Sequence, residues 1–155
     1  IKRRASAPLF FLFVSSCFRE AAYTACMKGN KLEQLILHLF GDYIIQTDWM
    51  AKYKTRRAFV AFIHALTYSL PFLLLQPSWM AFMVILWTHF LIDHFRLVRY
   101  VMFAKNWINE PHIKWEDYQV TGYHKDVPPH IAFWLMVLAD NTIHLAINYS
   151  ALRWL

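Results

Sequence analysis

The chain has 155 residues, about the length of one domain, and is 58% hydrophobic and 18% aromatic, well above soluble usage. Only 17% of it is charged, in short clusters between long apolar runs, which argues against an ordinary soluble domain and for a chain lying mostly in hydrocarbon. The net charge of +6 does not indicate nucleic acid: the basic residues sit mainly at helix ends, and setting residues 1–26 aside leaves +3.

Residues 1–26 form a leading segment, and Met27, followed by Lys28-Gly29-Asn30-Lys31, has the character of an initiator, so the segment is expected to be upstream translation. The competing reading is a signal peptide, with Lys2-Arg3-Arg4 as its basic start and Pro8 to Val14 as a short apolar core. Cys17 and Cys26 both fall here, at a spacing that matches no zinc or redox motif. Residues 27–155 are then expected to make one membrane domain.

Its first helix is predicted over about 32–50, opened by Asn30 with Glu33 in a capping-box pattern and carrying His38, Asp42 and Gln46. A basic turn (Lys52, Lys54, Arg56, Arg57) leads to a second helix over 58–76, where His64 is the single ionisable residue, stopped by Gln76-Pro77. Ser78 is the expected N-cap of a third helix, 79–104, which holds His89 and Asp93 and has Arg96 and Arg99 near its far end. Residues 105–129, punctuated by Pro111, Gly122 and Pro128-Pro129, read as a surface connection whose Trp107, Trp115, Tyr118 and Tyr123 suit a membrane interface. The fourth helix, 130–154, carries Asp140, Asn141 and His144. Each apolar run is long enough, at ~1.5 Å per residue, to cross a core of ~30 Å. The expected fold is therefore all-α, a four-helix transmembrane bundle with a polar His/Asp centre.

Lys and Arg number nine in the two connections joining helices one to two and three to four, against Lys28, Lys31 and Arg153 on the other side. By the positive-inside rule both loops are cytoplasmic and both termini face outward, as in a bacterial inner membrane.

An ionisable side chain at mid-helix costs about 2.5–3.5 kcal/mol on insertion scales, so a set of them must be compensated. Three times the groups come four residues apart, as His38 with Asp42, His89 with Asp93, and Asp140 with His144, and that spacing puts both on one helical face. Counted inward from the cytoplasmic helix ends, His64, His89, Asp42 and Asp140 lie 6, 7, 8 and 9 residues deep, in one slab a turn thick. His38 and His144 fall in an outer layer, Asp93 and Gln46 in an inner one. Imidazole and carboxylate are ligands of zinc, with manganese or iron as alternatives, and helix bundles build such sites from inward-facing side chains. The candidate ligands are His38, Asp42, His64, His89, Asp93, Asp140 and His144, with Gln46 and Asn141 in support; they would serve two ions sharing a carboxylate, or one ion with His-Asp hydrogen bonds around it. The plainer alternative is that they pair only with one another and hold the bundle together. His94 points elsewhere and is structural, while His112, His124 and His130 belong to loops or helix ends.

The stretch His38-Leu-Phe-Gly-Asp42-Tyr-Ile-Ile-Gln46-Thr-Asp48-Trp resembles the opening motif of the domain of unknown function 3307 family, small bacterial and phage membrane proteins. His64, Thr88-His89-Phe-Leu-Ile-Asp93 and Ala139-Asp140-Asn141-Thr-Ile-His144 look like its remaining motifs, so the resemblance covers about residues 30–150. It implies a membrane-bound metal-dependent hydrolase, and Asn141 departs from the Gln expected after the fourth-helix Asp. Two other functions are carried beside hydrolysis. One is a proton or metal-ion transporter, which with four short helices would need to assemble as a homo-oligomer; the other is a phage accessory protein recruiting a partner through the loop 105–129. There is no Ser-His or Cys-His pattern and no glycine-rich phosphate loop to support nucleophilic or nucleotide chemistry.

Overall fold

A computed structural model describes residues 31–155. The expectations for residues 1–26, for Met27 as initiator, for both cysteines and for Asn30 as a cap lie outside the described residues. Among the described residues the chain is all helical, with no strand. In order the helices are α1 (Lys31–Leu39), a π turn (Phe40–Ile44), α2 (Asp48–Tyr53), α3 (Ala58–Ser69) continued by a 3-10 turn (Leu70–Leu75), α4 (Trp79–Phe95), α5 (Leu97–Asn109), a 3-10 turn (Trp115–Asp117) and α6 (Pro129–Trp154).

The polarity is inverted relative to a soluble domain. Gln34, His38, Asp42, His64, His89, Asp93, His144 and Asn148 are all buried, while Ile44, Phe59, Leu74, Trp79, Ile108, Trp134 and Leu138 are exposed. A soluble fold would place these two sets the other way round. The stretch Ala58–Leu75 and helix α6 are each long and apolar enough to cross a membrane, and α4 with α5 would make a third crossing if the bent pair is one span. This is a membrane protein by its helices.

Polar residues recur every fourth position on the inward faces: Gln34, His38 and Asp42; His64 and Tyr68; His89 and Asp93; Asp140, His144 and Asn148. Helix α4 is central, packed on α3 along one side and on α6 along the other, with α1 laid against α6. Beyond the polar layer, toward the ends of α3 and α6 away from the loops, Tyr68, Phe72, Ala81, Ile85 and Ala151 close into a buried apolar cluster.

Two predicted helices are broken. The first does not run unbroken over 32–50: Ile45 N–H bonds the Phe40 carbonyl at 3.0 Å, the wide turn of a π bulge, and Thr47 then caps a new helix by accepting from Met50 N–H at 3.3 Å. Within this bulge Asp42, four residues beyond His38, remains on the inward face, and the bulge packs closely on α3. Gly41 permits it, since a Cβ there would sit 2.8 Å from Tyr68 Cδ2 and 3.0 Å from the Tyr68 carbonyl oxygen. Gly41→Ala is therefore expected to destabilise the protein by about 1–3 kcal/mol, as overpacking does, read as a lower thermal midpoint in detergent. An unchanged midpoint would show that the contact yields freely.

The third helix does not run to residue 104 in one piece. It bends by 71° at Arg96, and α5 then continues to Asn109, into what was expected to be loop. Arg96 takes the left-handed conformation (φ 52°, ψ 48°), which costs a non-glycine residue on the order of 1–2 kcal/mol, and its N–H caps α4 on the carbonyls of Ile92 and Asp93. The other ends follow expectation more closely: Ser78 Oγ accepts from Ala81 N–H at 3.0 Å, Gln76 ends the second segment with φ 49°, and Pro129 starts α6.

Candidate metal centre

The four-residue spacing on α4 turns His89 and Asp93 into the same interior space, and the π bulge and α3 bring Asp42 and His64 to meet them. Asp42 Oδ1 lies 3.2 Å from His64 Nε2 and 3.5 Å from His89 Nε2; Asp93 Oδ2 lies 3.1 Å and 3.3 Å from the same two nitrogens. The two imidazole Nε2 atoms are only 3.0 Å apart. Four donor atoms from three segments thus face one point.

The other oxygen of Asp93 serves a second group. Oδ1 is 3.4 Å from His144 Nε2, which is itself 3.7 Å from Asp140 Oδ2. In each group (Asp42, His64, His89 and Asp93; Asp93, Asp140 and His144) the ligand atoms lie within 4.8 Å of one another, and Asp93 belongs to both. His144 Nε2 is buried and makes no hydrogen bond among the described residues, although two carboxylates stand around it. An imidazole nitrogen set between two carboxylates, 3.4 Å from one and 3.7 Å from the other and poorly aligned with both, is an arrangement an intervening cation would satisfy.

His38 is adjacent but engaged elsewhere. Asn148 Nδ2 donates to the Tyr68 hydroxyl at 2.6 Å, and that hydroxyl is 2.8 Å from His38 Nδ1. His38 Nε2 is 2.6 Å from Asn141 Oδ1, and Asn141 Nδ2 donates to the Val137 carbonyl and to the Tyr43 hydroxyl, both at 2.8 Å. The Val137 bond fixes which way the Asn141 amide points, so His38 Nε2 must donate and its Nδ1 must accept from Tyr68. Both ring nitrogens are then committed, and Asp42 Oδ2 at 3.9 Å is a distant neighbour. Of the nine residues singled out from the sequence, the structure brings Asp42, His64, His89, Asp93, Asp140 and His144 together as potential ligands. It sets His38 and Asn141 in the hydrogen-bond chain beside them, and Gln46 Oε1 is buried with no partner among the described residues.

A family model of proteins of unknown function, DUF3307, matches residues 32–152. The chain belongs to this family. No curated protein and no solved structure gives a significant match.

In this DUF3307 chain the site also uses residues that the sequence reading passed over. Tyr68 is one: besides its two hydrogen bonds, its ring stacks on His89 with centroids 3.6 Å apart and 12° between planes. That stack orients an imidazole whose Nδ1 has no hydrogen-bond partner among the described residues. The available signal was spacing, since Tyr68 and Asn148 continue the four-residue series of His64 and His144. Lys54 is the second. Counted only as part of a basic turn, it puts Nζ 2.7 Å from Asp93 Oδ2 and 3.2 Å from His64 Nε2. Its backbone is held by His94, whose Nδ1 donates to the Lys54 carbonyl at 2.8 Å, which is the structural part His94 plays. Burial works against the Lys54 ammonium, but the Asp93 and Asp42 carboxylates outweigh it and hold the group above the ordinary lysine value.

Beside Asp93 and Asp140 opens a cleft of about 170 Å³, lined by Lys54, Arg96 and Arg99 on one part of its wall and by Ile92, Val98 and Met136 on another. It leads from the α4 and α5 bend to the carboxylates.

Proposed function

We propose that this chain is a multi-pass membrane hydrolase whose helices form a four-helix transmembrane bundle holding two divalent metal ions, zinc before manganese or iron, that share Asp93. The observation that carries the proposal is the split allegiance of Asp93, one oxygen toward His64 and His89 and the other toward His144. A carboxylate that only paired with a histidine would not need a second orphaned imidazole on its far side. Ions held by these two groups would supply Lewis acidity and would lower the pKa of a bound water.

The chain's own residues would do the rest. Asp140, whose side chain is 33% exposed and lines the cleft, is placed to take the proton from the water that adds to an ester centre and to return it to the leaving oxygen as that oxygen's bond to the centre breaks. Tyr68 and the His38 hydrogen-bond chain hold the ligand helices in register. The positive-inside count supports a topology in a bacterial inner membrane with both basic loops, residues 105–129 among them, cytoplasmic and both termini outward. The exposed apolar flank of α6, with Phe133, Trp134 and Leu138, would face lipid or a second copy.

Transport is the second reading, since intramembrane His and Asp also carry protons and ions. The buried apolar layer of Tyr68, Phe72, Ile85 and Ala151 beyond the polar centre favours a site that opens on one side only. The decisive experiment is elemental analysis of detergent-purified protein. Stoichiometric transition metal in the wild type, and its loss in His89→Ala, are the expected results; a metal-free wild type would overturn the proposal, and metal flux into proteoliposomes would replace hydrolysis with transport.

A further inference from the structure

We propose that the cleft beside Asp93 and Asp140 receives a phosphate-ester anion, its charge held by Lys54, Arg96 and Arg99 and its apolar part laid along Ile92, Val98 and Met136. This names the substrate class of the site above and rests on that reading for part of its charge balance.

The first support is that two of the three cations have no acidic partner. Arg96 Nη2 donates to the Val120 carbonyl at 2.8 Å; Arg99 Nη1 donates to the Gln119 carbonyl at 3.2 Å and its Nη2 to the Tyr100 hydroxyl at 2.8 Å. Those acceptors are neutral, so they brace the guanidinium groups without cancelling their charge. Neither arginine forms an ion pair among the described residues, and Arg99 Nε is buried with no hydrogen-bond partner. The brace is itself built: Gly122, at φ 80°, carries the carbonyl to which Asn106 Nδ2 donates at 2.9 Å, tying the loop to α5, while the Arg99 guanidinium lies over the Tyr100 ring at 4.8 Å. Guanidinium groups prepositioned in this way suit the planar, multidentate recognition of phosphate oxygens.

Charge supplies the second support. Lys54, Arg96 and Arg99 are balanced by the carboxylates of Asp42, Asp93 and Asp140 when no ion is present. Two dications in the two groups would leave the region with four positive charges in excess, in surroundings of low dielectric. A neutral ester does not answer that excess and a lone carboxylate answers one quarter of it; a phosphate ester brings up to two charges and three oxygens.

The third is position. The bend of 71° turns α5 away from the direction of α4 at Arg96, and α5 carries exposed Leu97, Val101 and Ile108 along one stripe while Val98 and Met102 are buried on another. An amphipathic helix that turns away from α4 in this way suits headgroup depth, which would put the cleft mouth where lipid phosphates are found. The left-handed Arg96 is the residue that both makes the bend and offers the charge.

The test is calorimetric titration of the protein in neutral detergent with dihexanoyl phosphatidic acid, glycerol 3-phosphate and dihexanoylglycerol, with bound metal quantified in the same samples. Wild type is expected to bind dihexanoyl phosphatidic acid, to ignore dihexanoylglycerol, and to lose roughly 10- to 100-fold in affinity on Arg96→Gly with Arg99→Gln. Glycine accepts the positive φ at position 96, so that variant relieves the backbone, and retained metal shows that its bundle has assembled. Glycerol 3-phosphate binding more weakly than the lipid identifies a membrane phosphate; equal binding identifies a soluble phosphate ester, and both support the cleft. Dihexanoylglycerol binding as tightly as the phosphatidic acid to wild type overturns the proposal without recourse to any variant, as does a double variant of undiminished affinity. Metal present without arginine-dependent phosphate binding sinks this inference and leaves the metal centre standing; arginine-dependent binding by a metal-free wild type does the reverse.

Discussion

Asp93→Asn should empty both ion sites, whereas Asp140→Ala should cost one ion of two. The asymmetry follows from geometry. Asp93 presents Oδ2 to the group containing His64 and His89 and Oδ1 to the one containing His144, while Asp140 belongs to the second group alone. An amide at position 93 has one oxygen to offer instead of two, so it cannot face both ions. It also leaves the Lys54 ammonium, now 2.7 Å from Oδ2, without its counter-charge beside the first group, where it would repel a dication. Elemental analysis after gel filtration is therefore expected to give about two ions per chain in the wild type, about one in Asp140→Ala and near zero in Asp93→Asn, in line with the dinuclear carboxylate sites of other bundles. Equal losses in the two variants would show that no carboxylate is shared.

Tyr68→Phe is the second large effect, and it separates support from ligation. The hydroxyl accepts from Asn148 and donates to His38, at 2.6 Å and 2.8 Å, and every participant is buried. Phenylalanine fills the same space but leaves an amide N–H and an imidazole nitrogen unsatisfied, a loss of about 1–3 kcal/mol. The ring remains to stack on His89, so metal content should hold while the thermal midpoint in detergent falls. A midpoint equal to wild type would show that the chain from Asn148 to Asn141 carries no stability. Loss of metal alongside full stability would instead make the hydroxyl part of the site.

Much of this was legible in the chain. The four-residue recurrence of His and Asp states which residues share a helical face, and the cost of such groups in hydrocarbon states that those faces must turn inward. Membership of the DUF3307 family agrees with that pattern over residues 32–152. The helical class, the polar centre and the caps at Ser78 and Pro129 follow from local chemistry.

What local chemistry does not contain is competition. His38 and His144 look alike in sequence, each four residues from an Asp, yet Tyr68 and Asn141 reach His38 first and take both its nitrogens. Lys54 reads as a topology signal until His94 fastens its backbone to α4 and turns its ammonium on Asp93. Arg96 carries no mark of a helix break, because arginine is an ordinary helix former and its left-handed backbone is imposed by capping α4 and by the loop carbonyl that holds its side chain. The sequence by itself determined the helical class, the apolar exteriors and the set of polar groups that hydrocarbon would reject. Only the tertiary structure decided which of those groups face one another, since a hydrogen bond or a shared carboxylate depends on ångström-scale distances between segments that are a hundred residues apart in the chain.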